Sequence, residues 1–237
     1  MTVLLVILMF AVFLTIDYVL ERRRARVEAT APAAATPAEP VMPPPLAAEP
    51  VWVAGYQLPE ELYYHRGHTW ARVVGPDTVL VGLDDFARKL IGSVEKLRLP
   101  PVGSWLRQGA RAVRTLLGDR DADLVSPVDG EVVAVNRQLE ERPELATDDP
   151  YGRGWLYTIR SSELARSLRN LLSGRLARRW LEDAREQLEL ELVALSGSVL
   201  RDGGAPVADF ARHLPEEDWR RLVGELLLTP DPEEREV

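Results

Sequence analysis

The amino-terminal residues divide the chain before any other reading begins. Thr2 to Ile16 (TVLLVILMFAVFLTI) carry no charge, and Asp17 is followed by Tyr18, Val19 and Leu20. At the helical rise, residues 2–20 reach roughly 28 Å, about one hydrocarbon core. Asp17 falls in the last turn, close enough to the interface to stay hydrated. Arg22, Arg23, Arg24 and Arg26 come next, and no Lys or Arg precedes them. A cleaved signal peptide needs its positive charge ahead of the apolar run, whereas this order reads as a stop-transfer signal. Residues 1–26 are therefore expected to form a single transmembrane helix in the cytoplasmic (inner) membrane. The arginine side, and with it the bulk of the chain, is expected in the cytoplasm.

The next segment cannot extend that helix. Residues 27–50 (VEATAPAAATPAEPVMPPPLAAEP) are built from Pro, Ala and a few Glu without an apolar face. Proline fixes φ and removes an amide donor, so an extended polyproline-like tether is expected, reaching roughly 75 Å for about 24 residues.

The remaining chain has the texture of a folded body. Overall, 46% of residues are apolar and 28% charged, the proportions of an ordinary globular protein. Cysteine is absent, which excludes disulfides, thiolate metal sites, iron–sulfur clusters and cysteine nucleophiles. The net charge of −8 gives no general basic face, so nucleic acid is not an expected partner. Of the 29 basic residues only Lys89 and Lys96 are lysines.

From Val51 to about Ile159, short alternating runs are separated by Gly, Pro and Asp: 70–74, 78–82, 131–135 and 155–159. Each predicts a strand of about five residues, and together they predict a small barrel or sandwich. Asp129-Gly130 predicts a hairpin between two runs. DDFARKLI, residues 84–91, predicts one helix with Asp at its start.

The period becomes helical after Ser161. Leu164, Leu168, Leu171 and Leu172 share one face, continued by Leu176, Trp180, Ala184, Leu188 and Leu192 in steps of about four, with Gly174 as a break or kink. Pro206 and Pro215 each predict the opening of a further helix, and Glu216, Glu217 and Asp218 suit the positive end of the second. This extension, residues 164–229, ends before an acidic tail, 230–237. Its leucine face is suited to covering the body, pairing with a second copy or receiving another protein.

Five blocks in order are similar to one known family. They are His68-Thr69-Trp70-Ala71; Val81 to Gly92 (VGLDDFARKLIG); Leu99-Pro100-Pro101-Val102-Gly103; Ser126 to Val132 (SPVDGEV); and Pro143-Glu144-Leu145 with Asp149 to Leu156 (DPYGRGWL). On these blocks, residues 63–163 resemble the glycine cleavage system H protein. The resemblance implies a mainly β, lipoyl-domain-like barrel-sandwich hybrid across residues 51–163. It also implies a carrier, not a catalyst, whose one lysine at a hairpin tip holds lipoic acid.

Aligned without a gap from Asp123-Leu124 and Ser126-Pro127, the lipoyl position falls on Asp119 in Thr115 to Asp123 (TLLGDRDAD). A carboxylate cannot form the lipoyl amide, and a guanidinium is no acyl acceptor. No lipoate or other cofactor is expected for that reason. The position three before the acceptor, commonly acidic in the family, is Leu116. Leu116, Asp119, Arg120 and Asp121 are the candidate docking tip, and solvated turn charges are the plainer account of the same residues.

Other constellations are weaker. His65 and His68 have a metal-pair spacing but no third ligand, so no metal site is expected, and His68 is expected to pack beside Trp70. His213 stands alone. No nucleophile-elbow, phosphate-loop, dinucleotide or zinc-protease pattern is present, so no enzyme is expected. The expected function is a membrane-anchored, non-lipoylated scaffold or binding subunit for a soluble or membrane protein. One rival is a working lipoyl carrier modified at Lys89 or Lys96, and a more distant one is an enzyme using the His and Asp residues.

Overall fold

A computed structural model describes Leu46, Glu49 and residues 51–196 and 214–229. Contacts separate Met1–Glu39 from Pro40–Val237, and every described residue belongs to the second unit. The apolar run, Arg22 to Arg26, most of the tether, the Pro206 segment, His213 and the acidic tail lie outside the described residues. Among the described residues no helix is long and apolar enough to cross a membrane.

The body is built from antiparallel strands. β1 (Val51–Val53) and β2 (Tyr56–Leu58) form a small hairpin. The larger sheet contains β3 (Tyr63–Tyr64), β4 (Thr69–Val73), β5 (Thr78–Leu83), β7 (Trp105–Leu106), β10 (Gly130–Val135) and β11 (Tyr157–Arg160). Its order is β3-β4-β5-β11-β10-β7. The smaller sheet contains β6 (Lys96–Arg98), β8 (Arg111–Leu117) and β9 (Arg120–Val125), in the order β6-β8-β9. Buried side chains of both sheets, including Trp70, Val79 and Ile159 of one and Val113, Ala122 and Leu124 of the other, belong to one core.

The helix α1 (Asp85–Ile91) follows β5 as expected, with Asp84 as N-cap accepting from the Ala87 amide at 2.8 Å. Two short helices, α2 (Gln138–Glu141) and α3 (Leu145–Asp148), lead to β11. The sequence blocks around them have packing reasons. A Cβ at Gly82 would come within 2.3 Å of the Trp70 ring, so a side chain there displaces the largest residue of the core. Trp70 Nε1 donates to the Leu83 and Pro150 carbonyls at 2.8 and 3.2 Å. The Tyr151 hydroxyl donates to the Gln57 carbonyl and accepts from the Asp85 amide, both at 2.8 Å, and so joins three segments.

Asp129-Gly130 does not make a hairpin. β9 and β10 lie in different sheets, and the segment between them is the corner where the chain changes sheet. Asp129 is turned aside to accept from the Gln108 amide at 2.8 Å. Gly130 is required by a neighbour across the ladder, because a Cβ there would meet the Arg160 carbonyl oxygen at 2.3 Å.

The helical extension covers the same core. α4 (Leu164–Arg169) ends early, and α5 (Gly174–Ser196) begins at Gly174, whose φ is +52°. Between them Leu172 exchanges two 2.8 Å backbone hydrogen bonds with Tyr64. The buried stripe of α5 is Ala177, Leu181, Ala184 and Leu188, with Trp180 and Leu192 partly buried beside it. Leu176, expected on that face, is 68% exposed, and Ala177 takes the buried position instead. α6 (Glu216–Leu226) opens at Pro215 with its three acids in the first turn. It buries Trp219, Leu222, Val223 and Leu226, and α6 packs beside β9.

Candidate functional site

The β8–β9 hairpin ends in a two-residue loop. Leu117 pairs with Arg120, leaving Gly118 and Asp119 at the tip. Gly118 has φ +66°, the conformation that two-residue hairpin loops demand of their first residue. Asp119 is exposed, and its carboxylate has no ion pair among the described residues. The turn thus presents the Asp119 carboxylate, with Glu95 beside it, its Oε1 3.9 Å from where a Cβ on Gly118 would stand.

The other three candidate tip residues are differently placed. Arg120 is clasped by the start of α6: it donates to the Leu214 carbonyl at 2.6 Å, lies 3.4 Å from Glu216 and sits over the Trp219 ring at 5.4 Å. Asp121 lies 3.4 Å from Arg114, which also holds Asp123 through two bonds of 2.8 and 3.0 Å. Leu116 stands mid-sheet, directly between Lys96 on β6 and Asp121 on β9. A polar cleft of about 270 Å³ lies between this hairpin and α6, lined by Arg111, Arg114, Asp121, Asp123 and Arg220 among others. Nothing in the sequence marked α6 as a neighbour of the hairpin, since Arg120 and Leu214 are 94 residues apart.

The two lysines differ sharply. Lys89 is 8% exposed; it donates to the Gly55 carbonyl at 2.6 Å, pairs with Asp85 at 3.3 Å and lies over Tyr56. Lys96 is exposed on the outer strand of the smaller sheet.

His68 does not pack beside Trp70 as expected. Its ring is stacked on Phe86 at 4.0 Å and lies 4.7 Å from Trp180. Its Nδ1 is 2.8 Å from Asp84, whose other oxygen caps α1. Ring and carboxylate are almost fully buried, at 1% and 2% exposure, and the pair ties α1 to the start of β4. His65 Nδ1 accepts from the Gly67 amide at 3.0 Å. Among the described residues no group of three His, Cys, Asp or Glu side chains is placed to hold a metal.

Burial, with His68 and the Arg66 charge adding to it, holds the His65 imidazole down at about 4. The unfolded chain takes up a proton near pH 6.5 that the folded chain refuses until about pH 4. Stability is therefore full above pH 6.5 and falls through this window, by about 2 kcal/mol at pH 5. Asn at position 65 keeps an acceptor for Gly67 without titrating. Denaturant unfolding at pH 7 and pH 5 should show this loss in the native chain and a smaller one in His65→Asn. Equal losses in the two proteins are the contrary result.

The comparisons with known proteins converge on this body. The family model described as "Glycine cleavage H-protein" matches residues 62–184, just over half of the chain, and runs past residue 163 into α5. A glycine cleavage system H protein of Rubrobacter xylanophilus is 44% identical over 107 residues, covering 45% of this chain and 84% of that one. A probable glycine cleavage system H protein of Thermococcus gammatolerans is 35% identical over 130 residues, covering 55% and 96%. The crystal structure of an H protein from Mycobacterium marinum has 26% identity and a TM-score of 0.45, covering 53% of this chain and 98% of that one. With the family model spanning the two larger sheets and the first half of α5, the chain belongs to the glycine cleavage H-protein family.

Proposed function

We propose that this chain is a membrane-anchored, non-lipoylated member of its family, a binding or scaffold subunit and not a catalyst. In this reading the amino-terminal apolar helix holds the body at the cytoplasmic face, and the Gly118-Asp119 tip is where a protein partner docks. One observation supports it: the exposed β8–β9 turn, on which the ungapped alignment puts the family's lipoyl position, carries Asp119, and neither lysine lies on that hairpin.

A second reading, a working lipoyl carrier, is favoured by Lys96, which is exposed and directly across from Leu116, two residues short of the tip. The engaged and buried Lys89 gives it no support.

Intact mass of the protein purified from its own host separates the two. The scaffold reading expects no lipoyl increment, and an increment mapped to Lys96 establishes the carrier. Carbonate extraction tests the anchor: retention in the membrane pellet is expected, and release by salt alone is the result against it.

A further inference from the structure

The outward side of the smaller sheet is positive in a chain of net charge −8. Lys96 and Arg98 stand on β6, Arg111 and Arg114 on β8, and Asp121 and Asp123 on β9. Both acids are already engaged. Arg114 holds Asp123 and lies 3.4 Å from Asp121, and Arg111 lies 3.2 Å from Asp123. Lys96 and Arg98 are exposed and have no ion pair among the described residues. Arg98 is also directly opposite Arg114, a like-charge pair that adjacent strands disfavour.

The chain leaves α6 onto this surface. Leu228, at φ +56°, turns it out of the helix, and the Thr229 amide donates back to the Gly224 carbonyl at 2.7 Å. The Thr229 carbonyl accepts from Arg111 at 2.9 Å, so the last described residue is fixed at the basic side, in the polar cleft between the hairpin and α6. Residues 230–236 follow, PDPEERE, four acids and one arginine. Pro230 and Pro232 favour an extended chain at and before their own positions. Seven extended residues reach roughly 22 Å. The path from residue 111 to 114 along β8 is about 10 Å, and β6 is about 5 Å farther.

We propose that this acidic tail lies across the outward side of the smaller sheet, from Thr229 past Arg114 to β6. Side chains of an extended chain alternate, so Glu234 and Glu236 share one side and Arg235 points to the other. Arg98 and Lys96 are likewise two residues apart on one face. Running antiparallel to β6, the tail sets Glu234 on Arg98 and Glu236 on Lys96. Glu234 then also relieves the opposition of Arg98 and Arg114. Exposed ion pairs are weak between separate molecules, and the covalent connection at Thr229 makes them effective here. Docking of the tail is independent of what binds at Asp119.

A water-soluble carbodiimide tests this, because it joins a carboxylate to an amine in contact and the chain has only two lysines. Lys89 is 8% exposed, which leaves Lys96 as the reactive one. The full chain in detergent micelles is treated, and links in the monomer band are mapped by peptide mass spectrometry. Lys96 should be joined to Glu234 or Glu236 at every protein concentration. High salt should lower that yield at least about fivefold by screening exposed charges. Arg98→Glu should lower it by a similar factor, and adding Glu234→Arg should restore the link from Lys96 to Glu236. Arg98 is exposed, so the melting curve should stay unchanged, and loss without rescue counts against the proposal. Links from Lys96 only to acids of the body, such as Glu95, overturn it. So do tail links confined to a crosslinked dimer, which mark the tail of a second copy. A yield indifferent to both salt and Arg98→Glu also overturns it, since such a tail meets Lys96 only by chance.

Discussion

A fragment of residues 51–163 should fail to unfold as a cooperative unit. The β body holds its own sheets, but one wall of its core is helical. Leu171, Ala177, Leu181, Ala184 and Leu188 are buried in the same core as Tyr64, Trp70 and Phe86, and α6 adds Trp219, Leu222 and Leu226. Cutting at residue 163 uncovers Tyr64 and His68, on which Trp180 rests at 6.2 and 4.7 Å, and breaks the paired backbone bonds from Tyr64 to Leu172. Burying one leucine of this kind is worth about 2–5 kcal/mol, and a whole domain has only about 5–15 kcal/mol to lose. Removing several therefore leaves no margin. Urea unfolding followed by circular dichroism should give a broad, non-cooperative or aggregating response. In the full chain Leu181→Ala, at 1% exposure, should cost about 2–5 kcal/mol, and Leu176→Ala, on the solvent face, nearly nothing. A sharp transition for the fragment contradicts this role for the extension.

The contrast between Leu176 and Leu181 shows what the sequence could and could not say. Spacing of about four residues was visible, and it correctly found Trp180, Ala184 and Leu188. It took the first rung from the leucine, because alanine carries little signal, although the helix begins at Gly174 with a phase that buries Ala177. The strands were legible because half-buried ladders alternate, and α1 because Asp84 caps it. The Asp129-Gly130 reading failed for a different reason. A dipeptide reports the local bend but not which sheet receives the next strand, and here the glycine serves the close approach to Arg160. At the candidate site the tip itself was legible, with Asp119 one residue beyond a turn glycine. The clasp of Arg120 by α6 was not, since it joins segments far apart in sequence without a shared motif.

Giving the tip an amine should create a lipoyl acceptor there, and an imperfect one. Asp119→Lys places an amine on the two-residue loop after Gly118, exposed and free of the ion pairs that engage its neighbours. Recognition by a lipoate ligase needs more than an amine. In the family the position three before the acceptor is commonly acidic, and Leu116 stands there. Directly opposed residues of adjacent strands share a face, so a carboxylate at 116 lies between Lys96 and Asp121. The lysine opposes the repulsion from Asp121, so the substitution is tolerated at this half-buried position. With ligase, ATP and lipoate, the native chain should gain no mass, Asp119→Lys should be modified slowly, and Leu116→Glu with Asp119→Lys about fivefold faster, roughly 1 kcal/mol of added recognition. Adding Lys96→Arg to the double variant should leave the rate unchanged, since the acceptor is residue 119. A lipoyl increment on the native chain that Lys96→Arg abolishes reverses the reading, making the strand lysine the acceptor. No increment on either tip variant counts against residue 119 as the family's acceptor position and against the ungapped alignment that puts it there.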